Sequence, residues 1–132
     1  MGNNGQTQKH TEQLDISIYV LLFTLLDQAG WSCAEFVEKT QLSRNTYYMI
    51  KRKEKHIYTK RIIVTLAIAF CLPYSMSEVL LFSAGYRLTS SKIDRAYFDL
   101  LNLCLGVEKS NQVLEDEGIE EKHWLGSAPR QF

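Results

Sequence analysis

Apolar residues recur every three or four positions along most of this chain, and this spacing places them on one side of an α-helix. The first helix is predicted over residues 12–28, with Gly30 as its stop. Because its apolar residues occupy more than one side, it is either a central core helix or a helix whose extra face meets a second subunit. Its apolar positions at helical spacing are Leu14, Ile18, Leu21, Leu22, Leu25 and Leu26.

Two further helices are predicted on either side of Pro73. Thr59 is the expected N-cap of a helix that Pro73 ends, because the proline ring cannot continue it. Ser75 and Glu78 have the spacing of a capping box, so the next short helix is predicted from there to residue 84.

The last two helices are predicted beyond residue 90. Ser91 with Asp94 opens one helix, and Gly106 closes it. Residues 107–117 form the other, which Gly118 ends. Together these patterns predict an all-α fold.

Two short helices joined by a tight turn are predicted near the middle of the chain. Ser32 and Glu35 form a capping box for the first, and Ser43 is the expected N-cap of the second. A tight turn and an exposed polar start to the second helix are the parts of a helix-turn-helix. The second helix opens with Arg44 and Asn45, whose side chains can read base edges in the major groove of duplex DNA.

The run of residues 36–50 resembles the helix-turn-helix of the lambda repressor/Cro proteins, often called the XRE family. Leu42 and Tyr47 are apolar where that pattern is apolar, and Ser43 stands at its serine position. Gln41 stands where the family has a turn glycine, so it must adopt a left-handed or strained conformation.

Two other positions depart from the family pattern. The chain beyond the motif, however, also resembles members of the family. Lys53 replaces the usual glycine after the second helix, and Val37 is larger than the usual alanine at the helix crossing. Residues 86–125 resemble a C-terminal extension of some Firmicutes-type members. The resemblance, which covers roughly residues 30–125, implies a five-helix lambda-repressor-like DNA-binding bundle plus about two C-terminal helices.

Chain length and local composition predict one folded domain with two polar ends. At 132 residues, a single helical domain over residues 12–125 is expected, with its helix-turn-helix at 32–53. Residues 1–11 are predicted to be a disordered tail. The alternative is an arm that enters a minor groove, although Lys9 is its only fixed charge. Residues 126–132 are predicted to be frayed.

Charge is unevenly distributed in a chain whose net charge is zero. Residues 43–61 hold seven basic residues and one acidic residue, a balance of plus six, whereas residues 108–121 have a balance of minus five. A basic run alone is ordinarily a solvated helix end and loop. Its coincidence with the predicted helix-turn-helix instead favours contact with a polyanion.

The remaining residue types argue against several other classes of protein. Cys33, Cys71 and Cys104 are odd in number and far apart, which argues against a disulfide scaffold and favours a reducing cytosol. No cysteine–histidine spacing predicts a metal site, and no cofactor or small-molecule ligand is evident. The apolar runs are shorter than the ~20 residues that span a bilayer. Scattered histidines without nucleophile partners argue against an enzyme.

These observations predict a cytoplasmic transcriptional regulator, of the repressor type, that binds double-stranded DNA. The resemblance implies a bacterial, phage or mobile-element origin. Homodimerisation is expected because one short recognition helix contacts few base pairs. The alternative is a protein-binding module on the same scaffold, such as an antitoxin-like or phage or mobile-element accessory protein. The expected base contacts are Arg44, Asn45, Tyr48 and Met49, and the expected phosphate contacts are Ser32, Cys33, Ser43, Thr46, Lys51, Arg52, Lys53 and Lys55.

Overall fold

The computed structural model describes residues 17–127, and within that range the chain is helical and has no strand. This confirms the predicted all-α class. A short 3-10 helix, Glu121–His123, follows the last α-helix. In chain order the α-helices are α1 (Ile18–Ala29), α2 (Cys33–Thr40), α3 (Arg44–Lys51), α4 (Lys60–Ala69), α5 (Tyr74–Ser83), α6 (Lys92–Leu101) and α7 (Val107–Asp116).

Helix α4 lies at the centre of the molecule. It packs against α2, α5, α6 and α7, and its six successive residues 63–68 are all buried. Helix α1, by contrast, buries only one side, and its Val20 remains 47% exposed. The core is continuous from α1 to α7, because large buried side chains from all six other α-helices join those of α4 in one cluster. They include Leu22, Phe36, Ile50, Leu80, Leu100 and Leu114.

Four of the predicted N-caps are present, each at the start of a helix. The side-chain oxygens of Ser32, Ser43, Thr59 and Ser91 accept a hydrogen bond from the backbone N–H three residues later. Such bonds satisfy amides that the first turn of a helix leaves without a partner. The signal is local, and the sequence therefore located these four helix starts correctly.

Helix α1 begins later than predicted. Ser17 is extended, and its hydroxyl accepts from the Tyr19 N–H at 3.1 Å, so the helix starts at Ile18. Residues 12–16, like the predicted tail at 1–11, lie outside the described part of the chain. Gly30 ends α1 in the left-handed conformation, with φ of 68°, as predicted.

The predicted capping box at Ser75 and Glu78 is wrong. Helix α5 begins at Tyr74, with Pro73 as its N-cap residue and no side-chain cap. The Pro73 carbonyl accepts from the N–H groups of Met76 and Ser77, because the fixed φ of proline already suits a helix start.

The assignment of Gly106 as the end of the sixth helix is also wrong. Helix α6 ends at Leu101, and Gly106, with φ of 83°, precedes α7. The intervening chain turns away at Cys104, whose φ is 52°.

Cys71 and Cys104 form a disulfide, which contradicts the expectation drawn from their spacing. They follow α4 and α6, and their Cα atoms are 5.1 Å apart although 33 positions separate them in sequence. Sequence spacing could not reveal this contact, because it depends on the packing of α6 against α4. Cys33 is free and half-buried.

No single helix among residues 17–127 is long and apolar enough to cross a membrane. Helices α1 and α2 meet the length and composition criteria only as a pair, across a bend of 106°.

Candidate nucleic-acid interface

A capping box fixes the start of α2. The Ser32 hydroxyl accepts from the Glu35 N–H at 3.2 Å, and the Glu35 carboxylate accepts from the Ser32 N–H at 2.9 Å. Two of the amides at this helix end are thereby used. The amides of Cys33 and Ala34 are the ones left for an anion at this end of α2.

The turn between α2 and α3 has internal partners for its polar groups. Gln41 is left-handed, with φ of 60°, as the sequence required, and its N–H donates to the Val37 carbonyl at 2.8 Å. Thr40 is fully buried. Its hydroxyl donates to the Phe36 carbonyl at 2.7 Å and accepts from the Leu42 N–H at 3.0 Å.

The inner side of α3 is held against the core. Ile50 is buried, and the half-buried Tyr47 ring meets the Phe36 ring at a centroid distance of 5.5 Å. The Tyr47 hydroxyl donates to the Trp31 carbonyl at 3.3 Å. This orients α3 about its own axis, so its outer side is defined.

The four side chains expected to contact bases differ in how exposed they are. Arg44 and Asn45 are exposed in the first turn of α3, and Tyr48 is 45% exposed one turn later. Met49 is half-buried. Arg44, Asn45 and Tyr48 together form what we call the exposed face of α3.

The hydroxyl groups expected to contact phosphates already have partners. The Ser43 hydroxyl caps α3 by accepting from the Thr46 N–H at 3.2 Å, and it lies 3.1 Å from the Thr46 hydroxyl. Thr46 itself is half-buried. Both side chains therefore fix the start of α3.

Lysines flank the seam between α1 and α3. The ammonium groups of Lys51 and Lys53 lie 5.7 Å and 4.6 Å from the centroid of the half-buried Phe23 ring of α1. Such cation–π contacts hold the two lysine stems while their charges stay at the surface. Lys55, in the loop that follows, is exposed.

Three of the seven basic residues in the segment 43–61 already have partners. Arg52 is paired with Glu54 at 2.6 Å. Lys60 is paired with Asp94 of α6 at 2.8 Å, and Arg61 donates to the Trp124 carbonyl at 3.1 Å. Within residues 17–127, Arg44, Lys51, Lys53 and Lys55 are in no ion pair.

The C-terminal end of the described chain crosses the turn between α2 and α3, which sequence reasoning missed. We call residues 124–127 the C-terminal strap. The Ser127 N–H donates to the Gln41 carbonyl at 2.7 Å, and the Gly126 N–H donates to the Thr65 hydroxyl of α4 at 3.0 Å. The Arg61 guanidinium also donates to the Gly126 carbonyl.

Asn111 of α7 holds the strap from the other side. Its side-chain oxygen accepts from the Leu125 N–H at 2.7 Å, and its amide nitrogen donates to the Leu125 carbonyl at 3.2 Å. Gly126 is thus buried, and the exposed Ser127 is held by its backbone hydrogen bond, where a frayed end was predicted. Residues 128–132 lie outside the described residues. The apolar pair Trp124 and Leu125, after an acidic run, was the one sequence signal for this packing.

No protein-family model, curated protein or solved structure matches this chain. Within residues 17–127, no group of histidine, cysteine, aspartate and glutamate side chains is arranged to hold a metal ion.

Proposed function

We propose that this protein binds double-stranded DNA through α3 and regulates transcription, as a repressor of the lambda repressor/Cro-like, helix-turn-helix type. In this proposal α1–α5 form the five-helix DNA-binding bundle, and α6 and α7 form the C-terminal extension. The observation that carries it is the exposed face of α3. This face is polar, and the other side of the helix is fixed to the core. Lysines outside any described ion pair lie next to it. Such a helix fits a major groove.

In this proposal the residues of the exposed face of α3 have different roles. Arg44 would donate two hydrogen bonds to a guanine, and Asn45 would exchange two with an adenine. Tyr48 would contact a thymine methyl group. Met49 is half-buried and is a weaker candidate for the same role.

Phosphate contacts are expected from the lysines that lack a described ion pair. Lys51, Lys53 and Lys55 would each neutralise one phosphate, whereas Arg52 would first have to leave Glu54. Three such contacts correspond to a log–log salt slope of about −2.7 for each protomer. The free amides of Cys33 and Ala34 at the start of α2 would add an uncharged contact.

The proposal is tested by fluorescence anisotropy with a mixed-sequence duplex at low and moderate salt. We expect binding that weakens with salt and is strongly reduced in an Arg44→Ala/Lys53→Ala double variant. Lys92→Ala/Lys109→Ala is the matched control, because it removes two exposed charges from α6 and α7 instead. Absence of binding by the parent chain at low salt would refute the proposal, since every such regulator needs this non-specific attraction.

We further propose that the protein acts as a cytoplasmic homodimer. The face of α5 supports this, because Met76, Val79 and Phe82 are 41%, 40% and 60% exposed at successive turns. Val79 and Phe82 border an open groove of about 430 Å³ that Tyr86 and Leu88 also line. Duplex DNA and a second copy are the only partners that the proposal requires, with no cofactor, small-molecule ligand or membrane.

The alternative is a protein-binding module of the antitoxin-like or phage-accessory kind. The exposure of Tyr48 on α3 and of Val20 on α1 favours it, since apolar groups at a surface suit a protein partner. A tagged chain that shows no affinity for DNA at low salt but retains one stoichiometric protein partner would support this alternative.

A further inference from the structure

The disulfide between Cys71 and Cys104 joins two exposed turns. Cys71 follows α4, and Cys104 lies between α6 and α7. Both residues are exposed, so the cross-link lies at the surface, where dissolved thiols and disulfides are present. Their Cα separation of 5.1 Å falls within the range of about 4.4–6.8 Å that a disulfide spans.

Both cysteines also have an unusual backbone conformation. Their φ angles are 55° and 52°, in the left-handed region that residues other than glycine rarely adopt. The turn at Cys71 is held by a hydrogen bond from its N–H to the Ile68 carbonyl at 3.0 Å, and the Leu72 N–H donates to the Ala67 carbonyl at 3.2 Å. The cross-link is a further restraint on this turn, so opening the bond loosens it.

The turn at Cys71 is directly connected to the candidate interface. Phe70, the preceding residue, stacks on Trp31 with ring centroids 5.0 Å apart and an angle of 11° between the rings. Trp31 immediately precedes Ser32, the N-cap of α2, and its carbonyl accepts the Tyr47 hydroxyl of α3. Cys71 of the disulfide is therefore bonded directly to Phe70, a member of the aromatic stack that supports both helices.

We propose that Cys71 and Cys104 form a reversible thiol–disulfide site, oxidised by a low-molecular-weight disulfide, whose state controls how firmly α2 and α3 are held. The proposed cytoplasmic location supports this, because disulfides in a reducing cytosol are ordinarily transient and redox-sensing, and exposed ones are the more labile. The site does not depend on DNA binding.

The chemistry is two successive thiol–disulfide exchanges. One cysteine thiolate attacks a sulfur of the small disulfide, forming a mixed disulfide and releasing one small thiolate. The second cysteine thiolate attacks the protein sulfur of that mixed disulfide and releases the other small thiolate. The protein loses two electrons and two protons, and the small disulfide gains them as two thiols.

The first test counts thiols in the full-length chain by alkylation and intact mass. After treatment with oxidised glutathione we expect one reactive thiol, Cys33, and after treatment with dithiothreitol we expect three. Three reactive thiols after oxidation, or a disulfide that joins two chains, would overturn the proposal. So would complete loss of helical circular dichroism on reduction, because the bond would then be structural rather than reversible.

The second test measures amide hydrogen exchange in peptides that cover residues 31–52. Reduction of the parent chain should increase exchange there by about fivefold or more. Cys71→Ser and Cys104→Ser should exchange like the reduced parent whether or not oxidant is present. Cys33→Ser is the matched control and should respond to oxidant as the parent does.

Equal exchange at residues 31–52 in the oxidised and reduced parent would overturn the coupling between the site and the two helices. Neither test uses DNA, so failure of DNA binding leaves both results interpretable. If the chain does bind DNA, the same oxidised and reduced samples give the effect of the site on affinity.

Discussion

Gly126 and Gln41 meet where the C-terminal strap crosses the turn between α2 and α3. A Cβ atom on Gly126 would lie 2.8 Å from the Gln41 Cβ and 3.1 Å from the Gln41 carbonyl oxygen. The φ of Gly126 is also +88°, a conformation that disfavours other residues. Both the clash and the backbone conformation therefore require glycine here.

We expect Gly126→Ala to lower the free energy of unfolding by about 2 kcal/mol or more, because overpacking adds to the cost of a positive φ. Gly118→Ala is the matched control. Its φ is +77°, but nothing lies within 4 Å of an added Cβ, so only a loss of about 1 kcal/mol is expected. Urea denaturation of both variants measures the difference, and equal losses would contradict the strap contact.

Asp94 of α6 is a second residue whose role depends on a distant partner. Burial opposes ionisation of its carboxyl group, but hydrogen bonds from Lys60 and from the N–H and hydroxyl of Thr89 outweigh burial and lower its pKa. A carboxylate with a lowered pKa in the folded state stabilises the fold above its ordinary pKa of 3.8. That stabilisation is lost as the pH falls through the folded-state pKa.

Asp94→Asn should therefore lower the free energy of unfolding by about 2 kcal/mol at neutral pH, since it removes charged hydrogen bonds to a side chain that is 7% exposed. The difference from the parent should shrink as the pH falls below 3.8. Asp99→Asn, at an exposed position on the same helix, should change stability little at any pH. A pH-independent loss at Asp94 would contradict the ion pair.

The helices differ in how well their ends could be predicted from sequence. Ser32, Ser43 and Ser91 bond to amides three residues away, so a short sequence window contains the whole signal. Helix α5 lacks the predicted side-chain cap. Pro73 stands at its N-cap position instead, which is also a local effect. Lys60 and Arg61 have partners 34 and at least 63 positions away, so no local pattern could reveal that both side chains are already bonded to the C-terminal part of the chain.

Helix α3 gives a prediction at its own scale, which rests on the proposed function. Arg44→Ala should weaken binding to a selected operator by about 1–3 kcal/mol while changing affinity for a scrambled duplex less, because a base contact carries sequence information. Lys55→Ala should weaken binding to both duplexes equally and reduce the magnitude of the salt slope by about 1. Anisotropy titrations of the two variants separate these roles. If Arg44→Ala weakened binding to both duplexes equally, Arg44 would not be a base contact.

At the scale of the described chain, residues 17–127, one core includes both the α2–α3 segment and the C-terminal helices. Helix α4 contacts α2 on one side and α6 and α7 on others, and the strap returns to Gln41. Burial also raises the pKa of Tyr97 to about 12, so its hydroxyl stays protonated and donates to the His123 carbonyl at 2.6 Å. The C-terminal helices therefore support the α2–α3 segment through α4 and the strap. The sequence predicted each helix separately and could not establish this packing.

The apolar face of α5 gives the last prediction, which concerns assembly. Glu78 and Arg87 have opposite charges beside the same groove. In a contact with two-fold symmetry, Glu78 of each copy would face Arg87 of the other copy. Such a contact is self-complementary. We therefore expect a dimer of twice 15.3 kDa by light scattering, and Phe82→Lys should convert it to a monomer.

Ile57→Lys is the control, because Ile57 is more exposed still, at 84%, but lies outside α5. If the dimer holds two α3 helices on one duplex, Phe82→Lys should also roughly halve the salt slope, since half of the phosphate contacts act in each binding event. A parent chain that is monomeric at every concentration would refute the α5 interface. A dimer that survives Phe82→Lys would place the contact on another surface, with the exposed side of α1 as the next to test.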